Sequence, residues 1–351
     1  MDFRPDFWCG KKVFLTGHTG FKGGWLTIYL QALGAQVTGF SLEPPTEPNL
    51  FSVARLGELL CEDIRGDVTD IAALQQAMCA AKPDIVIHMA AQALVRESYQ
   101  KPLETYLANV MGTANVLEAV RQASGVKAVL VITTDKCYEN REWCWGYREN
   151  DVLGGYDPYS SSKACAELVT AAWRRSYLAA RGIAVASVRA GNVIGGGDWA
   201  QDRLVPDCLR AIAAGIPMIV RNPVATRPWQ HVLEPLTGYL LLAERLYTEG
   251  AAWAEAWNFG PTDAGVMKVV DLVKALCERM QGRYQIESDG GPHEAGLLQL
   301  DSAKARQRLG WRIRLSMDET FDSIAAWFEA WRRDDDMQAF SRAQVVDYLK
   351  K

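Results

Sequence analysis

The chain has 351 residues, 49% apolar and 23% charged, a balance that excludes disorder as its default state and suffices for one large domain or two smaller ones. A formal charge of −4 excludes a general basic field for nucleic acid, so any anionic ligand must be met by local Arg and Lys side chains. No apolar run approaches the roughly 18 residues that span a bilayer, and Met1 to Pro5 precede no apolar signal core, which predicts a cytoplasmic protein with a small-molecule partner and no membrane or nucleic-acid partner.

In chain order, residues 13–16 form a short apolar strand, and Gly17-His18-Thr19-Gly20-Phe21-Lys22-Gly23 makes a glycine-rich turn into the helically spaced run 25–30. Glycines in that place let the backbone approach a pyrophosphate, whose charge the helix N-terminus meets, so the turn predicts dinucleotide binding. A second strand covers 37–40 and ends in Phe40-Ser41-Leu42, with Glu43 slightly late for the acidic residue that marks NAD. That leaves NAD and NADP open. The lack of an Arg close after this strand tilts the choice to NAD.

Apolar strands follow at 85–89, 128–132 and 184–188, separated by helix-length segments such as 110–123 and 164–178. Alternation of this kind predicts an α/β fold, a Rossmann-type doubly wound parallel sheet with ligands at the strands' carboxyl ends. Residues 1–190 are the expected dinucleotide-binding domain, with 230–262 returning to it through the strand-like Ala256 to Phe259. Past Asn192 glycine and proline become dense, so 191–229 and 263–351 are the expected smaller, substrate-binding lobe. Phe321, Ile324, Phe328 and Trp331 mark one face of an amphipathic helix that packs in the core.

Two stretches carry chemistry. Tyr159 and Lys163 lie four residues apart, one turn from each other on a helix face, where an ammonium lowers a phenol's pKa. They read equally as ordinary first-turn residues behind Asp157-Pro158, an N-cap and first-turn pair. Thr134-Asp135-Lys136, at the end of the 128–132 strand, offers a second acid/base pair that simple hydride transfer does not require, or a solvated strand end. Eight scattered cysteines without a Cys-x-x-Cys, and His18, His88, His231 and His293 far apart, predict reduced thiols and no metal. Trp143 to Tyr147 reads as a loop over the site, a subunit contact or packing.

Gly17-x-x-Gly20-x-x-Gly23, His88-Met89-Ala90-Ala91-Gln92 and Tyr159-x-x-x-Lys163 together resemble the extended short-chain dehydrogenase/reductase superfamily, from about Lys11 to the Leu309-Gly310-Trp311 pattern. Within it, Thr134 to Tyr138, Gly154 to Tyr159, Arg189 to Trp199 and Arg227 to His231 resemble the nucleotide-sugar 4,6-dehydratases that act on CDP-glucose. The resemblance implies bound NAD and transient oxidation of the sugar at C4. Water is then lost across C5 and C6, and hydride returns to C6, giving a 4-keto-6-deoxy sugar for dideoxyhexose and O-antigen synthesis. It implies that Gly17, Thr19, Gly20, Phe21, Lys22, Gly23 and Ser41 cradle the cofactor, with Asp67 and Val68 at the adenine and Ala90, Ala91 and Asn109 at the nicotinamide. Thr134 would hold the C4 oxygen, Tyr159 and Lys163 would shuttle its proton, Asp135 would be the acid and Lys136 the C5 base. Relatives acting on dTDP-glucose carry Asp-Glu where this chain has Asp135-Lys136. Gln92, Arg96, Asn192, Arg203, Leu204, Arg221, Arg227, Asn258 and His293 would contact the nucleotide sugar, and helices 110–123 and 164–178 would pair two subunits as a homodimer or a dimer of dimers. A 4-epimerase of the same fold, which needs no elimination, and a non-catalytic dinucleotide-sensing module, which needs neither Tyr159 nor Lys163, are the competing readings.

Overall fold

Strands that are apolar throughout must be covered on both faces, and in the computed structural model, which describes residues 4–287 and 297–351, they are. The strands are β1 Lys12–Thr16, β2 Gln36–Ser41, β3 Glu62–Arg65, β4 Ile85–His88, β5 Ala128–Ile132, β6 Ala184–Ala190, β7 Asn192–Ile194, β8 Met218–Val220, β9 Thr226–His231, β10 Ala256–Phe259, β11 Val266–Lys268 and β12 Tyr284–Ile286. The helices are α1 Phe21–Ala32, α2 Leu50–Val53, α3 Ile71–Ala81, α4 Val95–Gln100, α5 Pro102–Tyr106, α6 Gly112–Gln122, α7 Pro158–Trp173, α8 Leu204–Ala214, α9 Leu233–Glu249, α10 Val269–Met280, α11 Met317–Arg332 and α12 Met337–Leu349.

Seven strands form one parallel sheet in the order β10-β6-β5-β4-β1-β2-β3. One face packs under α1 and α9 and the other under α3 and α6, the doubly wound arrangement expected from the alternation. The order reverses between β1 and β4, so a crevice opens where the chain leaves Thr16 and His88. The expected return of Ala256 to Phe259 is β10, paired with β6 from Ala256 opposite Ser187 to Phe259 opposite Ala190.

Beyond β6 a smaller layer forms, a three-stranded sheet β11-β9-β7 and the pair β12-β8. Its core joins α8, α10 and α11 through Val205, Leu209, Leu272, Leu276, Phe321, Ile324 and Phe328, the apolar face read from the sequence. The C-terminal segment divides its packing between this layer and the main sheet. Trp311 lies edge-on to Phe259 at 5.2 Å and donates through Nε1 to Glu234 O at 2.9 Å, while Tyr348 of α12 donates to the Glu234 carboxylate at 2.7 Å.

The helix expected over 110–123 runs almost without break from Pro102 to Gln122, with a wide π turn at Leu107–Met111 between α5 and α6. Strand β3 escaped the sequence pattern because it carries one apolar residue, Ile64, among charges on an edge strand.

Candidate active site

Thr16 ends β1, and its hydroxyl accepts from the amides of Met89 and Ala90 at 3.1 and 3.2 Å, tying together the two turns that flank the crevice. Gly17, at φ +77°, lies so close to the second turn that a Cβ would stand 2.6 Å from Ala90 N; one on Gly23 would stand 2.1 Å from Gly17 O. Helix α1 then begins at an N-cap, Gly20, with no side chain on its first amides. A cradle that only glycine fits, backed by uncapped helix amides, suits a pyrophosphate. The residues present therefore fit a dinucleotide.

The other cofactor candidates surround this cradle. Thr19 Oγ1 lies 2.8 Å from Ser41 Oγ and donates to Leu42 O at 3.0 Å. Asp67 accepts from Thr69 N at 2.9 Å, and Val68 is buried with its carbonyl held by Asn115 Nδ2 at 3.0 Å. Asn109 sits in the π turn and is buried; its carboxamide accepts from Gln92 N at 2.9 Å and donates to Gln92 O at 3.0 Å and Ser162 Oγ at 2.9 Å. It clamps the Ala90–Gln92 turn to α7. Phe21 and Ala91 are half-buried at the same turns.

Lys22 points inward, donating to Tyr239 OH of α9 at 3.0 Å with its ammonium 5.2 Å over that ring. Burial, then the charges of Lys163 and Arg203, pull its pKa down to about 7, with Asp135 opposing. Tyr239 had no signal in the sequence beyond an apolar helix.

Asp157 caps α7, accepting from Ser160 N at 2.9 Å behind Pro158, so the cap reading of that pair is correct and Tyr159 falls in the first turn. Tyr159 is drawn down by Thr134, whose hydroxyl donates to Asp135 Oδ1 at 2.9 Å and accepts from Lys136 N at 3.3 Å. The hydroxyl and the carboxyl are thus bonded to each other beside the phenol. Burial pushes Tyr159 up to about 12 even though Thr134 and Arg203 pull the other way. Lys163, expected to lower it, instead donates to Ile132 O at 3.3 Å and is itself pulled down to about 8 by burial, against Glu167. Burial also raises the Asp135 pKa, with Lys136, Thr134 and Arg227 opposing, the direction a general acid needs. Lys136 is half-buried beside it.

Arg203 ion-pairs with Asp198 at 3.0 Å, and its charge acts on both Tyr159 and Lys22. Leu204 follows it at the start of α8, half-buried against the lobe core. Arg227 donates to Thr226 O at 3.0 Å within reach of the Asp135 charge, and Asn192 opens β7 opposite Trp229 of β9. The fold thus gathers Thr134, Asp135, Lys136, Tyr159, Lys163, Lys22, Arg203 and Arg227.

The remaining substrate candidates lie elsewhere. Gln92 binds its own turn, Nε2 donating to Leu94 O at 2.9 Å and Oε1 accepting from Leu94 N at 2.6 Å. Arg96 pairs with Asp202 at 2.8 Å on the surface, and exposed Arg221 acts on Asp207. Asn258 is fully buried, accepting from Tyr138 OH at 2.9 Å and donating to Tyr147 O at 2.8 Å and Asp301 O at 3.2 Å. His293 lies outside the described residues. The 143–147 stretch is mainly packed, Trp143 and Tyr138 lying 5.0 and 5.1 Å from the Tyr147 ring, while Trp145 stays exposed.

Behind the site lies a buried network that sequence reasoning missed. Glu167, one turn past Lys163, pairs with Arg189 at 2.8 Å and accepts from the hydroxyls of Thr133 and Ser187, each at 2.5 Å. Arg189 also donates to Tyr138 OH at 2.6 Å. The i,i+4 spacing of Lys163 and Glu167 was its only visible trace.

The family model for GDP-mannose 4,6-dehydratase matches residues 14–324. The chain is 51% identical over 351 residues to a CDP-glucose 4,6-dehydratase of Salmonella typhimurium, covering 98% of each. In structure it resembles an epimerase from Methanothermobacter thermautotrophicus (TM-score 0.80, 21% identity, 94% of this chain and 96% of that one). It also resembles a dTDP-glucose 4,6-dehydratase double mutant from Streptomyces venezuelae with NAD bound (TM-score 0.77, 22% identity, 92% and 98%).

Proposed function

The chain belongs to the GDP-mannose 4,6-dehydratase family, and from that membership we propose that it is an NAD-dependent nucleotide-sugar 4,6-dehydratase acting on CDP-glucose. The similarity to the Salmonella enzyme supports the substrate. The observation that carries the reaction type is the buried Asp135 carboxyl, bonded to the Thr134 hydroxyl beside the Tyr159 phenol. A 4-epimerase has no use for that second acid.

When bound, NAD supplies the hydride acceptor for C4 and the hydride donor for C6. Tyr159 takes the C4 hydroxyl proton while Thr134 orients that oxygen, and Arg203, joined by Lys163 once it leaves Ile132 O, stabilises the phenolate. The 4-ketone acidifies the hydrogen on C5, which Lys136 removes. Asp135 protonates the C6 hydroxyl as it leaves, which its raised pKa suits. Lys136 returns its proton to C5, the proton that Tyr159 took from O4 makes good the one Asp135 gave to the leaving water, and the products are CDP-4-dehydro-6-deoxy-D-glucose, which keeps its C4 carbonyl, and water. Arg203 and Arg227 bind the diphosphate, since guanidinium forks suit phosphate oxygens. The loop-rich lobe, with Asn192 at the start of β7 and Leu204 at the start of α8, completes the nucleotide-sugar site.

No helix of the described residues is long and apolar enough to cross a membrane, and the enzyme works in the cytoplasm on a diffusible substrate. It is a homodimer. Leu103, Leu107, Met111, Leu168 and Tyr177 leave an exposed apolar face on the helices of 102–122 and 158–178, which a second copy would cover. Incubation with CDP-glucose in deuterated buffer, followed by proton NMR, tests the reaction: a C6 methyl signal with deuterium at C5 is expected, and a galacto-configured product would overturn it. Parallel assays with UDP- and dTDP-glucose test the base preference.

A further inference from the structure

The end of β2 beside the cradle holds a charged group that the sequence reading did not anticipate. Strand β3 pairs with β2 in a register that sets Arg65 opposite Ser41, the residue that ends β2 where an acidic side chain usually marks NAD. Arg65 Nη2 donates to Asp63 Oδ2 at 3.0 Å, and its Nε lies 3.4 Å from Glu43 Oε2. Its guanidinium stacks 4.7 Å over Phe51. The far oxygen of Asp63 lies 2.8 Å from His18 Nε2, so Asp63 links this arginine to the glycine-rich turn. Ser41 is itself 2.8 Å from Thr19 on that turn.

We propose that Arg65, held beside Ser41 between the carboxylates of Asp63 and Glu43 and so withheld from a 2′-phosphate, makes this site take NAD rather than its 2′-phosphorylated form. The inference rests on the cofactor reading above and deepens it. A free arginine here would favour a 2′-phosphate, because its fork matches phosphate oxygens. In this chain the fork is already bonded on two sides to carboxylates. Glu43, two residues past the strand end, also leaves a negative charge beside the place where the phosphate's own charge would come, and the like charges repel. A neutral 2′-hydroxyl meets no such repulsion and finds carboxylate and serine oxygens to bond.

The surrounding residues explain why this arrangement escapes a reading of β2 alone. Glu43 comes two residues after the strand end and is 77% exposed, while Arg65 arrives from another strand and is 30% exposed. Only the β2–β3 register brings them to one place.

The test is calorimetric titration of the full chain with ADP-ribose and with 2′-phospho-ADP-ribose, which separates binding from turnover. The unchanged protein should prefer ADP-ribose by roughly a hundredfold, less at high salt. Glu43→Gln should narrow that preference by roughly tenfold, through tighter binding of the 2′-phosphorylated probe, and Glu43→Gln with Arg65→Met should restore it. Both positions are open to solvent, and thermal melts should match those of the unchanged protein. A preference within about twofold of the original in Glu43→Gln, or a gain that survives loss of Arg65, overturns the inference while leaving the cofactor reading intact. Failure of the unchanged chain to bind ADP-ribose or NAD overturns both.

Discussion

Tyr159 is a phenol whose burial holds its proton, at about 12, so catalysis needs every nearby positive charge that can draw it down. Tyr159→Phe removes the shuttle and little else, since Thr134 keeps its bond to Asp135. Its turnover of CDP-glucose should fall about 10²–10⁴-fold with the thermal midpoint unchanged, measured as C6-methyl product. Lys163 carries a different signature. Its pKa falls from the ordinary 10.5 to about 8 through burial, so the unfolded chain binds the extra proton between those values. Stability therefore rises with pH across that window, and the cost of the buried ammonium is fully present below about 8. Lys163→Met should abolish turnover yet raise the melting temperature at pH 7, with the gain fading toward pH 10.5. A gain independent of pH would sink that account of the ammonium.

At the scale of elements, the catalytic groups stand on two pieces that must keep register, the end of β5 and the first turns of α7. The Glu167–Arg189 pair joins them, since Glu167 rises from α7, Arg189 from β6, and Thr133 next to Thr134 bonds to the same carboxylate. Both charges are 3% exposed. Removing one leaves the other buried and alone, so Glu167→Gln should cost about 3–5 kcal/mol in urea unfolding. Adding Arg189→Met should recover much of that loss, because the pair's removal also removes the unpaired charge. The π turn at Leu107–Met111 works on the same scale, rotating Asn109 into the Ala90–Gln92 turn that an unbroken α-helix would have carried it past.

The two layers meet across aromatic surface, and one glycine shows how tightly. A Cβ on Gly196 would lie 2.2 Å from Trp327 Cγ, while Trp25 donates to Gly196 O at 2.8 Å, so the loop after β7 is wedged between α1 and α11. Gly196→Ala should destabilise the whole chain by about 1–3 kcal/mol in chemical unfolding and loosen the substrate lobe's hold on the cleft, seen as a raised KM for CDP-glucose. The exposed apolar face on 102–122 and 158–178 belongs to the same scale. Leu107→Glu with Leu168→Glu, both at least half exposed, should turn a dimer into a monomer in light scattering without unfolding it. A monomeric mass for the unchanged protein would overturn the proposed dimer.

The strand runs, the glycine turn after β1, the α7 cap and the spacing of Tyr159 and Lys163 were legible in the chain because they are local. Each is written within a few residues, through apolar periodicity, glycine's freedom at φ +77° or a side chain capping its own helix. The tertiary structure alone decided what those groups experience. Lys22 meets Tyr239 from 217 positions away, Arg65 reaches Ser41 through strand pairing, and Asn258 and Gln92 turn to backbone partners rather than the cleft. The titration of Tyr159, Lys163 and Asp135 is likewise set by burial, because the cost of desolvating a charge depends on everything packed around it and not on its neighbours in the chain.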